Sequence, residues 1–65
     1  MNHIRLKELR KKRSLKQEEM AKLLEISQSG YSHYEQGNRV PDSFMLKKIA
    51  DILNTTADYL LGRTN

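Results

Sequence analysis

Residues 17–37 read QEEMAKLLEISQSGYSHYEQG. Met20, Ala21 and Leu24 fall at i, i+1 and i+4, which is one face of a short helix over 17–24. Ser27 is a good N-cap and Gly37 a good terminator, and between them a further helix spans about 28–36 with Tyr31 and Tyr34 as its apolar marks. Only Glu25, Ile26 and Ser27 separate the two. A connection this short makes the helices cross steeply around one small contact, formed by Ala21, Leu24, Ile26, Tyr31 and Tyr34. The small side chain of Ala21 lets the second helix of the pair approach closely.

That arrangement is a helix-turn-helix. At about 100° per residue, positions 28, 29, 32, 33 and 36 form one arc, opposite Tyr31 and Tyr34. The outward arc is Gln28, Ser29, Ser32, His33 and Gln36, with no carboxylate among them. Hydrogen-bonding groups of this kind read base edges in a DNA major groove. Taken alone the arc is also an ordinary polar face, so its meaning depends on the rest of the chain.

Outward from the pair, the same helical spacing continues and no strand alternation occurs, which predicts an all-α fold of five short helices in one compact bundle. Leu6 and Leu9 mark a first helix near 3–13. After the loop Asn38, Arg39, Val40, Pro41, Asp42 is placed to cap a fourth helix over about 43–53, where Leu46, Ile49, Ala50 and Leu53 fall at i, i+3, i+4 and i+7. Asn54 is a left-handed terminator, Thr55 or Thr56 caps a final turn over 57–61, and Gly62 closes it. In so small a core Leu60 is expected inside, with Tyr59 or Leu61 partly available. The chain of 65 residues is expected to be a single domain, 1–65, with a stability of order a few kcal/mol.

Charge supplies the second cue. The formal net charge is +4, but it is unevenly placed: residues 1–16 hold seven Lys and Arg against one Glu (+6), and residues 17–65 hold five against seven (−2). A block such as KELRKKR is a solvated helix face in many proteins. Clustered cations also gain affinity for nucleic acid by releasing its counterions, and this block lies next to the polar arc in the same small domain. The two cues agree.

From Leu6 to Gly62 the residues resemble the lambda-repressor-like, Cro-type (XRE family) helix-turn-helix domain. The parts lie in order: Leu9-Arg10, QEEMA from Gln17, ISQS from Ile26, Glu35 and Gly37, Pro41, and the closing Leu60-Leu61-Gly62. The resemblance implies a double-stranded DNA operator as partner, a dimer on paired half-sites, and a third helix lying in the major groove. It assigns base contacts to Gln28, Ser29, Ser32 and His33. It assigns backbone contacts to Gln17, which also braces the recognition helix, and to Asn38 and Arg39; the family orientation brings Arg13 and Lys16 near the phosphates as well. It further implies an ion pair between Arg10 and Glu35.

Three residues depart from the family pattern. Lys16 stands where a capping Ser or Thr is usual, Glu25 where the turn has Gly, and Gly30 lies inside the recognition helix; each departure costs about 1 kcal/mol if uncompensated.

Enzyme readings are weak. Cysteine is absent, His3 and His33 lie thirty residues apart without metal-ligand spacing, and neither a nucleophile elbow nor a phosphate loop occurs. The expectation is therefore a non-enzymatic transcriptional regulator, a repressor by preference, with no cofactor, metal or small-molecule ligand. No apolar run is long enough for a membrane span, and a cysteine-free chain suits the cytoplasm. The serious alternative is a protein-interaction module of the same fold, antirepressor- or antitoxin-like.

Overall fold

The structure is a computed structural model and describes residues 1–63; residues 64 and 65, the end of the expected domain, lie outside it. Among the described residues there are five helices and no strand: α1 (His3–Lys12), α2 (Gln17–Leu24), α3 (Gln28–Gln36), α4 (Ser43–Ile52) and α5 (Ala57–Leu60). The expected helices are all present. The first, fourth and fifth stop one residue short of the expected ends, because Arg13, Leu53 and Leu61 have become the C-caps.

Each boundary has a local cause. Asn2 Oδ1 accepts from the backbone N–H groups of Ile4 and Arg5 at 3.1 and 3.2 Å, Ser27 Oγ from Gly30 at 3.1 Å, Asp42 Oδ1 from Met45 at 2.8 Å and Thr56 Oγ1 from Tyr59 at 3.1 Å. Lys16, the cap of α2, has no side-chain acceptor, since an ammonium only donates. Glu19 compensates in part by accepting from the Lys16 N–H at 2.9 Å, and with Glu18 it sets negative charge at the helix N-terminus.

Left-handed residues end the four later helices: Glu25 (φ 60°), Gly37 (φ 79°), Asn54 (φ 53°) and Gly62 (φ 80°). Ser14 is left-handed as well, at φ 57°, so it turns the chain between α1 and α2 and gives α2 no cap. Gly37 has a second reason to lack a side chain, because a Cβ there would stand 2.9 Å from the His3 ring. That close approach packs the start of α1 on the end of α3. Gly30 is helical, and a Cβ on it would lie 3.0 Å from Ser27 Oγ, so the glycine leaves room for the cap.

Glu25 pays the left-handed penalty without glycine's freedom, which for an L-residue is roughly 1–2 kcal/mol. Glu25→Gly is therefore expected to stabilise the protein by about 0.5–1 kcal/mol after glycine's larger folding entropy is subtracted. Urea denaturation measures this, and an unchanged midpoint would contradict the strain.

The core gathers one face from every helix: Leu6 of α1, Met20, Ala21 and Leu24 of α2, Tyr31 and Tyr34 of α3, Leu46, Ile49 and Ala50 of α4, then Leu53 and Leu60. The Tyr31 and Tyr34 rings meet edge to face at 6.4 Å. Leu9 and Ile26 pack at its margin, half-buried. The two ends of the chain are joined: Asn2 N–H donates to Leu60 O at 2.7 Å, and the Arg5 guanidinium donates to Tyr59 O at 2.8 Å while lying 4.3 Å above the Tyr59 ring. Part of the basic block thus has a structural task. Leu60 is buried, Tyr59 half-buried and Leu61 exposed.

Candidate nucleic-acid interface

Helix α3 is held from behind by a buried polar network. Glu35 is its only carboxylate, and it faces inward, 6% exposed. Arg10 Nε donates to Glu35 Oε2 at 2.6 Å and Arg10 Nη2 to Oε1 at 3.1 Å, a bidentate pair between α1 and α3. Tyr31 Oη donates to Oε2 at 2.6 Å, and Gln17 Nε2 to Oε1 at 3.0 Å. Arg10 Nη1 donates to Leu15 O at 2.7 Å, tying the α1–α2 turn to the same group. Four donors on one carboxylate leave it satisfied, as burial requires.

The electrostatics follow from this geometry. Burial alone raises the Glu35 carboxyl, but the hydrogen bonds from Arg10, Tyr31 and Gln17 and the guanidinium charge outweigh it and hold Glu35 below the usual carboxylate range. The bond to Glu35 pushes Arg10 up against the opposing effect of desolvation. Burial, and then the bond to Glu35, push the Tyr31 phenol well above its ordinary value. At neutral pH the network is one carboxylate, one guanidinium and a neutral phenol.

Because Glu35 turns inward, the outer face of α3 carries no negative charge. Gln28, Ser29 and His33 are exposed on it and Ser32 is half-buried, so the four candidate base-reading residues share one face. Gln36 joins two of the candidate groups: its Nε2 donates to Ser32 Oγ at 3.1 Å, and its Oε1 accepts from Asn38 Nδ2 at 2.9 Å. Asn38, expected at the DNA backbone, is thereby linked by its side chain to α3. The backbone N–H groups of Asn38 and Arg39 both donate to His33 O, at 3.0 and 3.3 Å.

Of the other candidate backbone residues, Arg13 and Lys16 are exposed at the α1–α2 turn, and Arg39 is exposed with its guanidinium 5.9 Å from the Tyr34 ring. Gln17 is half-buried and spends one amide hydrogen on Glu35, which leaves the other for a ligand. Sequence reasoning missed the polar role of Tyr31, which it treated as core, and the bridging role of Gln36. Both had a signal, since Tyr31–Glu35 and Ser32–Gln36 are i, i+4 pairs on one helix.

Comparison with known proteins is consistent throughout. A helix-turn-helix family model matches residues 6–60. The HTH-type transcriptional regulator AnsR of Bacillus subtilis strain 168 is 48% identical over 63 residues, covering 97% of this chain and 54% of its own. The HTH-type transcriptional regulator ImmR of the same organism is 42% identical over 59 residues, covering 91% and 46% respectively. The chain thus spans about half the length of these two relatives. Against the HTH-type regulator YazB it is 41% identical over 56 residues, and there the match covers 81% of the relative. No solved structure matches at a significant level. With five helices of this order and a turn of three residues between α2 and α3, the chain belongs to the XRE-type helix-turn-helix family, whose named relatives are transcriptional regulators.

Proposed function

We propose that the protein is a sequence-specific double-stranded DNA-binding regulator, acting as a repressor in the cytoplasm by occupying a palindromic operator as a dimer. The observation that carries this reading is the carboxylate-free outer face of α3, rigidly backed by the Arg10–Glu35 network. Gln28, Ser29, Ser32 and His33 read base edges from the major groove. A Gln amide pairs with adenine N6 and N7, and a His N–H donates to guanine N7 or O6. Arg13, Lys16, Gln17, Asn38 and Arg39 contact the phosphates and set the register, without reading sequence. One domain reads only a short half-site. Two copies related by a two-fold axis restore specificity, with recognition helices roughly 34 Å apart.

Selection of bound duplexes from a random pool, followed by footprinting, tests the reading. Paired, inverted half-sites are expected; a single unpaired half-site at saturation contradicts the dimer. The rival reading, a protein-interaction module of the same fold, requires selection to return no sequence and binding to duplex to be absent at moderate salt.

Salt dependence tests the orientation. The basic block is assigned to DNA because clustered cations release counterions from phosphates and because Arg13 and Lys16 are exposed at the α1–α2 turn. Lys16 caps α2, while α1 begins at the joint with α5 formed by Asn2 and Arg5. Lys16→Gln is expected to reduce the slope of log affinity against log salt by about one unit per subunit, and Lys7→Gln to leave it nearly unchanged. Both variants lose one positive charge, so equal slope changes would remove the support for this orientation.

A further inference from the structure

The outward arc of α3 has a fifth polar member, Gln36, which is assigned to neither bases nor phosphates and whose amide is engaged at both ends. Its Nε2 donates to Ser32 Oγ one turn earlier at 3.1 Å, and its Oε1 accepts from Asn38 Nδ2 beyond the helix end at 2.9 Å. A glutamine held in this way is poorly placed to pair bidentately with a base. The three side chains form a directed chain instead, in which Asn38 donates to Gln36 and Gln36 donates to Ser32.

Direction matters at the Ser32 end. A hydroxyl has one hydrogen and two lone pairs, and it rotates to suit its neighbours. With Gln36 donating to the oxygen, the Ser32 hydrogen is turned away from Gln36, and among the described residues no protein acceptor takes it. Were the Gln36 amide turned by 180°, its Oε1 would accept that hydrogen and Ser32 would present lone pairs alone. The far end of the chain decides between the two. Asn38 is assigned to a phosphate, whose oxygens only accept, and Asn38 Nδ2 has two hydrogens, one for Gln36 Oε1 and one for the phosphate. The reversed chain requires Asn38 to turn its carbonyl oxygen to Gln36, which carries the NH₂ group away to the other side. A phosphate beside Nδ2 thus holds the chain in the sense the structure shows.

We infer that Gln36 is a positioning residue that sets the reading sense of Ser32, so that Ser32 offers its hydrogen to the groove and favours keto bases over amino bases. The hydrogen finds an acceptor in guanine O6 or thymine O4, and meets another donor at adenine N6 or cytosine N4. The inference rests on the DNA-binding reading above and deepens it. One neutral hydrogen bond gives a preference of roughly 3- to 10-fold at that base pair.

The test measures affinities for the selected operator and its single-base variants with the parent, Ser32→Ala, Gln36→Met, Gln36→Glu and the double variant Ser32→Ala, Gln36→Met. Gln36 is exposed, so its substitutions leave the core untouched, and circular dichroism checks that each variant is folded. Ser32→Ala identifies the base pair that Ser32 contacts, where the parent is expected to prefer a keto base. Gln36→Met keeps the length of the side chain without its amide, and should erase most of the preference at that pair while leaving the other pairs alone. The double variant should then add nothing to Ser32→Ala. Gln36→Glu presents only acceptors, so it takes the Ser32 hydrogen and should shift the preference at that pair toward amino bases, while its charge weakens binding to every sequence. A uniform loss in Gln36→Met overturns the inference, as the mark of a chain that only stiffens the helix end. A change at a different base pair, additive with Ser32→Ala, overturns it too, because Gln36 then reads a base itself. So does a parent without a keto preference at the Ser32 pair, or a Gln36→Glu protein that keeps one. If the parent selects an operator and Ser32→Ala changes no preference, the inference fails while the DNA-binding reading stands; a parent that selects no sequence defeats that reading itself.

Discussion

Glu35→Ala is expected to cost about 3–5 kcal/mol, the penalty for leaving a buried charged partner unpaired. Arg10 is 8% exposed and loses two hydrogen bonds, Tyr31 loses its acceptor, and Gln17 loses the bond that joins α2 to α3. A domain of this size has a folding stability of order a few kcal/mol, so the variant should be largely unfolded at 25 °C. Far-UV circular dichroism and urea titration read this directly. Replacing the three buried groups together is a different matter: Arg10→Met with Glu35→Leu and Tyr31→Phe leaves no buried charge or phenol stranded, only the half-buried Gln17 amide and Leu15 O lose a bond, and much of the loss is expected to be recovered. A Glu35→Ala protein within about 1 kcal/mol of the parent would mean that the network stabilises no more than a single ordinary hydrogen bond.

The same network sets the pH profile. Glu35 is held below the usual carboxylate range, so its contribution is fully present above the unfolded value of about 4.3 and is lost as pH falls from there through the folded value. In that window the unfolded chain binds the proton and the folded chain does not. Tyr31 acts at the other end. Its phenol is raised by burial and by Glu35, so stability is present below about pH 10 and falls as pH rises beyond it, where the unfolded phenol ionises first. Chemical denaturation across pH should show both limbs, with Glu35→Gln flattening the acid limb and Tyr31→Phe the alkaline one.

The second large effect is on DNA. Gln28→Ala and His33→Ala are expected to change which bases are preferred, each discriminating contact being worth about 1–3 kcal/mol, or roughly 5- to 150-fold. Gln17→Ala and Arg39→Ala should instead weaken binding to all sequences alike, since phosphates carry no base identity. Gln17→Ala carries an added structural loss because its amide also bonds Glu35, so its stability is measured beside its affinity. Single-base variants of the selected operator decide the assignment. If Gln28→Ala ranks them as the parent does, Gln28 does not read a base.

Much of this architecture is visible in local patterns. Ser27, Asp42 and Thr56 announce helix starts because a side-chain oxygen two or three residues from an unpaired N–H is a short-range fact. Gly37 and Asn54 announce ends for the same reason, their backbones being left-handed. Ser14 gives no such signal, since serine carries no strong preference for that conformation, and the turn it makes is held both by the Leu15 N–H donating to Arg10 O and by the Arg10 guanidinium donating to Leu15 O. Lys16 reads as a poor cap, and only the reach of Glu19 back to its N–H partly repairs it.

By itself, the sequence determined the five helices, their short connections, the α2–α3 pair and the polar, carboxylate-free arc of α3, because each depends on residues within one or two helical turns. The tertiary structure decided how the charges were used. Arg10 and Glu35 are 25 residues apart, and no local period tells which member of a basic block will turn inward. Gln17, matched by resemblance to a phosphate contact, is joined to Glu35 only when α2 crosses α3, and His3 meets Gly37 only when α1 closes over the end of α3. Such contacts are settled by packing: a buried charge must find all its partners at once, and those partners come from elements that are distant along the chain.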